Sequence, residues 1–162
     1  MRVLVAYGSK RGGTALIAET VGEQLMADGC SVEVVPARKV RSVGGFAAVV
    51  VGGARYSNHW HSDARRLVRR RAADLRKVPV WLFSSGPLSD AASRDEIPPV
   101  PQVSDLSRLV GARGHTTFGG RLAPDAKGFP ARAMAKTKSG DWRDDTRIRA
   151  WADTIAVATT PR

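Results

Sequence analysis

Short apolar runs rich in β-branched residues alternate with longer segments of helical periodicity along most of the chain. Such runs predict strands at residues 3–7, 32–35, 46–51, 80–84 and 114–118. Several of them are continuously apolar, which is typical of parallel strands that are covered on both faces. Strand, helix and strand in repetition predict right-handed βαβ crossovers and an open, doubly wound α/β sheet.

The segments between the strands carry helical patterns. Helices are predicted at residues 14–28 and 62–77, and a last helix is predicted to begin after Asp144, a candidate N-cap. Residues 86–104 and 119–143 interrupt this alternation of strands and helices, because both stretches are rich in Pro and Gly. Both are predicted as irregular loops, the second with one short helical patch at 131–136. The 162 residues predict one domain over 1–162.

The formal net charge of +11 at pH 7 leaves three kinds of partner open: nucleic acid, a membrane surface or an anionic small molecule. Many of the cations lie on one face of the predicted helix at 65–77, where a solvated surface is the simplest explanation and a membrane-surface or acidic-partner role is the alternative. No helix-turn-helix, zinc-finger or RNA-binding signature accompanies them, so nucleic-acid binding is disfavoured.

Cys30 is the single cysteine, which excludes an intrachain disulfide and agrees with a reducing compartment. The apolar runs are all far shorter than the roughly 20 residues of a membrane span. We therefore expect a cytoplasmic protein, with peripheral membrane contact as an option. Residues of metal-ligand type do not cluster at ligand spacing, so no metal site is predicted.

A Gly-rich segment lies between the first predicted strand and the first predicted helix. Its turn directs backbone N–H groups and the positive end of the helix toward a ligand, so we predict an anion site there. The spacing matches neither the nucleotide triphosphatase loop nor the dinucleotide fingerprint. The predicted binding residues are Ser9, Lys10, Arg11, Gly12, Gly13 and Thr14.

This segment resembles the loop of flavodoxins that binds the phosphate of FMN, whose pattern is Ser/Thr-x-Thr-Gly-x-Thr. Ser9, Gly12 and Thr14 match the pattern in register, while Arg11 replaces the second Thr and Gly13 replaces the usual Asn. The resemblance implies a flavodoxin-like, five-stranded parallel sheet of order 2-1-3-4-5, with helices on both faces. It also implies FMN as the cofactor.

A second segment, residues 52–61, resembles the flavodoxin-like menaquinone-dependent protoporphyrinogen dehydrogenases. Arg55, Tyr56, His59 and His61 match that family by type, and Trp60 stands at an aromatic position. The resemblance implies a redox enzyme of heme biosynthesis that oxidises an anionic porphyrinogen and passes the electrons to a quinone or another acceptor. These four residues are the candidate catalytic residues, and the two histidines are candidates for handling protons.

In such a fold the loops after strands one, three and four meet at the carboxyl edge of the sheet. We expect Tyr56 or Trp60 to stack on the flavin ring, and backbone amides near Ser85 and Gly86 to bond its polar edge. His115 is predicted to be structural. Besides the phosphate loop, the predicted cofactor-binding residues are Ala54, Arg55, Tyr56, Trp60, Ser84, Ser85, Gly86, Pro87 and Leu88.

Two other functions stay open at this point. One is an electron carrier of flavodoxin type that has no substrate of its own. The other is a binding protein with this fold that has lost its cofactor, for which Lys10 and Arg11 in the phosphate loop are the only hint.

Overall fold

The computed structural model describes residues 1–9, 12–56, 58–86, 96–122, 140–141 and 143–160. The strands in these ranges are β1 (Arg2–Gly8), β2 (Ser31–Pro36), β3 (Ala48–Tyr56), β4 (His59–Trp60), β5 (Val80–Ser85), β6 (Gly114–Phe118), β7 (Arg121–Leu122) and β8 (Gly140–Asp141). The α-helices are α1 (Gly13–Ala27), α2 (Ser62–Arg70), α3 (Ala72–Leu75), α4 (Pro101–Val110) and α5 (Asp145–Thr159). A short 3-10 turn covers Ala37–Lys39.

The main sheet has the order β2-β1-β3-β5-β6, and each neighbouring pair in this order is parallel. This confirms the predicted order of five strands, because β4 is a two-residue strand that pairs back on β3 in an antiparallel hairpin. β7 and β8 form a separate antiparallel pair.

Two apolar layers cover the sheet, one on each face. One layer joins α1 and α5 to strand residues such as Val3, Val5 and Phe83. The other joins α2, α4 and the 3-10 turn to residues such as Leu4 and Leu82. Successive side chains of a strand point to opposite faces, so a strand buried on both must be apolar at every position. This requirement explains the continuous apolar runs.

Helix boundaries follow local chemistry. Asp144 caps α5 as predicted, because its Oδ1 accepts a hydrogen bond from the backbone N–H of Arg147 at 3.1 Å. The prediction of one continuous helix over residues 62–77 was wrong. α2 ends at Arg70, and Arg71 (φ −107°, ψ 18°) separates it from α3. The apolar stripe continues through both pieces, which is why the sequence pattern shows no break.

Three further boundaries differ from the prediction. The third strand begins at Ala48 and runs through Gly52 and Gly53 to Tyr56, so Phe46 precedes it. The stretch 86–104 is not all loop, because α4 begins at Pro101, where the missing N–H costs nothing in a first turn. The stretch 119–143 contains β7 and β8, while the predicted helical patch at 131–136 lies outside the described residues.

Within the described ranges, none of the helices combines the length and the apolar character that crossing a membrane requires.

Candidate functional site

The carboxyl ends of β1, β3 and β5 lie side by side at one edge of the sheet. Gly8 of β1 stands opposite Gly53 of β3, and Gly53 stands opposite Ser84 of β5. The loops that follow these strands therefore start from one edge, as predicted. This edge is where ligands bind in open α/β sheets.

The N-terminus of α1 is built to face an anion. Gly12 adopts a left-handed conformation (φ 83°), and its N–H donates to the hydroxyl of Ser9 at 3.2 Å. The first turn of α1 carries neither an acidic residue nor a side-chain cap. The positive end of the helix is thus uncompensated by the part of the chain that the structure describes. Lys10 and Arg11 lie outside the described residues.

Thr14 gives the most direct indication of a ligand site. Its side chain is 1% exposed, and its Oγ1 has no hydrogen-bond partner within the described ranges. A buried hydroxyl without a partner costs about 1 to 3 kcal/mol, so natural proteins rarely retain one without a reason. At the first turn of α1, a phosphate oxygen is a fitting partner.

The second predicted segment forms a tight hairpin at the same edge. β3 ends at Tyr56, Asn58 takes a left-handed conformation (φ 66°), and β4 pairs back on β3, with His59 opposite Tyr56. The N–H of Trp60 donates to Oε1 of Gln102 at 2.9 Å, which fastens the hairpin to α4. Tyr56 is 37% exposed and His59 is exposed, so both are accessible at this edge.

Trp60 does not fit the stacking role predicted for it. Its side chain is 1% exposed, and its Nε1 donates to the carbonyl oxygen of Phe83 at 3.2 Å. The indole covers Gly53 so closely that a Cβ there would lie 2.4 Å from Nε1. Trp60 is therefore a core residue, and Tyr56 is the aromatic residue of the hairpin that remains exposed.

Ala54, 7% exposed, accepts a hydrogen bond from the N–H of His61.

His61 joins the two predicted segments. It is 6% exposed, and its Nδ1 accepts a hydrogen bond from the N–H of Asp63 at 3.1 Å, which caps α2. A Cβ added to Gly8 would lie 2.9 Å from this Nδ1, so the imidazole rests directly on the end of β1. Its ring centre lies 6.3 Å from that of Tyr56. Of the two candidate histidines, His59 is the accessible one.

The end of β5 is already engaged in internal hydrogen bonds. Ser84 is 3% exposed, and its hydroxyl lies 2.8 Å from Nε2 of His115. Burial lowers the pKa of His115 to about 4, so its ring is neutral at pH 7, as suits the structural role predicted for it. The N–H of Gly86 donates to the carbonyl of Phe118 at 2.9 Å, so it is not available for the polar edge of a flavin. Ser85 is 7% exposed, while Pro87 and Leu88 lie outside the described residues.

A set of contacts from β6 and α5, which the sequence pattern does not indicate, supports this edge. Arg147 donates to the carbonyl of Thr117 at 2.6 Å and to Oε2 of Glu96 at 2.8 Å, and it lies 5.2 Å from the ring centre of Phe118. The hydroxyl of Thr117 donates to the carbonyl of Ile97 at 3.0 Å. Glu96 and Ile97, which follow β5 in the chain, are thus held at the end of β6, the first through Arg147 and the second by Thr117 directly. A lone Arg in a helix gives no sequence signal for this role.

Two cavities lie away from this edge. One of about 520 Å³ lies between α2 and α4, and one of about 110 Å³ lies between α2 and the 3-10 turn. Neither touches the carboxyl edge of β1, β3 and β5, where four of the predicted site residues lie outside the described ranges. Within those ranges, no group of three His, Cys, Asp or Glu side chains is arranged to hold a metal ion.

Comparisons with known proteins agree with this architecture. The profile of the family described as "Flavodoxin domain" matches residues 4–144. A flavodoxin from the domain Archaea is similar in structure, with a TM-score of 0.68 at 15% identity over 98% of this chain and 99% of that one. Flavodoxin 1 from Bacillus cereus gives 0.66 at 12% identity over 99% and 100%.

A longer protein is also similar. The rubredoxin oxygen:oxidoreductase of Desulfovibrio gigas matches 98% of this chain at 15% identity with a TM-score of 0.66. This chain spans only 36% of that protein. No curated protein sequence matches the chain.

FMN is the cofactor that the matched family implies, and the described residues fit it. The buried, unpartnered hydroxyl of Thr14 and the uncapped start of α1 suit its phosphate, and the exposed Tyr56 suits a flat ring beside the edge of the sheet. With the family profile covering most of its length and the sheet order that the family requires, the chain belongs to the flavodoxin domain family.

Proposed function

We propose that the protein is an FMN-dependent oxidoreductase that takes electrons from an anionic organic substrate and passes them to a quinone or another acceptor. The observation that carries the proposal is the hairpin of β3 and β4, which presents Arg55, Tyr56 and His59 beside the edge predicted to hold FMN. FMN, when bound, supplies the electron-transfer chemistry, and the protein supplies binding, orientation and charge.

The hairpin residues have separate tasks in this proposal. The guanidinium of the half-buried Arg55 binds a carboxylate of the substrate, for which its planar pair of donors is well suited. The exposed phenol ring of Tyr56 packs on the flavin. The exposed imidazole of His59 can exchange protons with the substrate. His61 holds the start of α2 against Gly8 and so fixes the phosphate loop relative to the hairpin.

A porphyrinogen is the substrate class that we propose. Its propionate carboxylates suit Arg55 and the strongly basic chain, and the segment 52–61 resembles protoporphyrinogen dehydrogenases of heme biosynthesis. A quinone acceptor would require contact with a membrane surface, which attracts basic proteins when its lipids are anionic. In this proposal the protein works in the cytoplasm and binds to the membrane surface as a peripheral protein.

A second candidate function is an electron carrier without a substrate of its own. The similar length of small flavodoxins favours this function, because their structures match this chain over nearly the whole length of both proteins. Such a carrier needs the cofactor site and a docking surface for partners, and it needs no substrate pocket.

Anaerobic turnover separates the two functions. The FMN-loaded protein is mixed with protoporphyrinogen and a quinone, and product is counted per protein. We expect many turnovers, and we expect Arg55→Gln to lower the rate at least about tenfold while FMN stays bound. Arg108→Gln, an exposed cation on α4, serves as the control with the same change of charge. A single turnover or none, with a flavin that chemical reductants still reduce, would identify a carrier instead.

A further inference from the structure

Among the residues that the structure describes, positive charge is concentrated on one side of the sheet. Residues 37–77 contain eleven Lys and Arg against two Asp. On the other side, α1 contains Glu19 and Glu23 and no cation, and α5 contains equal numbers of acidic and basic residues. The described part of the chain is therefore polarised across the sheet, and this polarity does not follow from the FMN site.

Among the described residues of 37–77, Lys77 is the one cation that pairs with a carboxylate, that of Asp74. Elsewhere, Arg2 pairs with Glu33, and Arg149 pairs with both Glu23 and Asp145. By contrast, seven cations on the 3-10 turn, just after it, and on and just after α2 make no ion pair and no side-chain hydrogen bond within the described ranges. We call them the basic face: Arg38, Lys39, Arg41, Arg66, Arg69, Arg70 and Arg71. Holding so many unpaired cations together costs repulsion energy, which an anionic partner would remove.

The basic face is concave at its centre. A cavity of about 110 Å³ lies between the 3-10 turn and α2, with Ala37, Val40 and Leu67 among the residues that line it. Four arginines and one carboxylate complete its lining: Arg38, Arg66, Arg70, Arg71 and Asp63. Asp63 lies at the start of α2, where its carboxylate is 3.9 Å from Nδ1 of His61. The cavity has room for one protruding group with an apolar stem and an anionic head.

These features favour an acidic protein over a lipid surface. A flat bilayer has no protruding side chain to fill a cavity, and interfacial helices insert large apolar residues. Among the described residues, the exposed large hydrophobic side chains are Met1, Met26, Tyr56, Leu109 and Val157, and none of them lies on the 3-10 turn or α2. Asp and Glu side chains have both the stem and the carboxylate, which a guanidinium binds through two parallel hydrogen bonds.

The basic face also begins at the edge where FMN is expected. α2 starts next to His61, which lies against Gly8 at the end of β1, and the 3-10 turn directly follows the end of β2. A protein bound there would lie beside the cofactor edge. We propose that the basic face is the docking surface for a redox partner with an acidic surface, and that one of the partner's carboxylates enters the cavity between Arg38, Arg66 and Arg70.

The proposed function is needed only to identify the partner as a redox protein. Docking itself is therefore tested on the full chain without FMN. The probe is poly-L-glutamate, and its dissociation constant is measured at near-physiological ionic strength. We expect Arg66→Gln/Arg70→Gln to weaken binding at least about tenfold. The control Arg108→Gln/Arg113→Gln removes the same charge from exposed positions outside the basic face, and we expect less than about a twofold effect. Circular dichroism checks that both variants fold.

Two outcomes would overturn the proposal. Equal weakening by both double variants would mean that net charge alone drives binding. Stronger binding of phosphatidylglycerol vesicles or of a DNA duplex than of poly-L-glutamate, at equal anionic charge, would assign the face to a membrane or to nucleic acid. Because FMN is absent, a failure of docking is distinguishable from a failure of flavin binding or turnover.

Discussion

Trp60 donates its indole N–H to the carbonyl oxygen of Phe83 at 3.2 Å, and its ring covers Gly53 of the intervening strand. This one side chain links the hairpin of β3 and β4 to β5. It thereby fixes two of the three loops that start from the cofactor edge relative to each other. The arrangement depends on Gly53, since any side chain there would occupy the space of the indole.

Gly53→Ala should therefore destabilise the protein by about 2 to 3 kcal/mol, as overpacking of a core does. Its Cβ would lie 2.4 Å from Nε1 of Trp60. Gly44→Ala is the matched control, because the nearest atom to its Cβ is a serine hydroxyl at 3.4 Å. Urea unfolding followed by circular dichroism measures both changes. Equal stability of the two variants would show that Trp60 does not pack as described.

The Thr14→Val substitution should weaken cofactor binding without lowering the stability of the fold. Removing a buried hydroxyl that has no partner should leave the free energy of unfolding of the FMN-free protein unchanged or raise it. The same change should weaken FMN binding about 10- to 100-fold, the value of one charge-assisted hydrogen bond. Thr20→Val, on the same helix and with its hydroxyl bonded to the carbonyl of Leu16, should not alter FMN affinity. An unchanged FMN affinity of Thr14→Val would remove Thr14 from the site.

Stability should fall in mild acid because of His115. Its pKa is lowered by burial to about 4, so the folded state binds a proton less readily than the unfolded state, where the pKa is near 6.5. The stabilisation is fully present above pH 6.5 and is lost as the pH falls toward 4, by at most about 3 kcal/mol. His115→Gln should flatten the dependence of the free energy of unfolding on pH in this interval. A parallel curve for this variant would show that other groups cause the loss.

Arg147→Gln should loosen the segment after β5. The side chain is 23% exposed and has three partners: the carbonyl of Thr117, the carboxylate of Glu96 and the ring of Phe118. We expect a loss of about 1 to 2 kcal/mol in the free energy of unfolding. Arg149→Gln removes a more exposed arginine of the same helix, which pairs with Asp145 of α5 and with Glu23 of α1, and should cost less than about 1 kcal/mol. Thermal unfolding compares the two, and a reversed order would show that Arg147 is not an anchor.

The sheet was predictable because burial on both faces requires continuous apolar runs in the strands. The phosphate loop was predictable because a Gly-rich turn after a strand is local in sequence. Local patterns did not reveal which aromatic residue of the hairpin lies inside. Tyr56 and Trp60 are both aromatic, but Gly53, two residues before the strand partner of Trp60, leaves the space that the indole occupies in the core. The engaged amide of Gly86 likewise depends on β6, some thirty residues further along the chain. Long-range contacts of this kind leave no periodic signal.

The proposed function depends on FMN binding at the start of α1 and the neighbouring edge of the sheet. Titration of the flavin-free protein with FMN, followed by the quenching of flavin fluorescence, measures this binding. We predict saturation at one FMN per chain, with riboflavin, which lacks the phosphate, binding at least about tenfold more weakly. A protein that leaves FMN fluorescence unchanged would not bind FMN, and one that binds riboflavin as tightly as FMN would have no phosphate site at the start of α1.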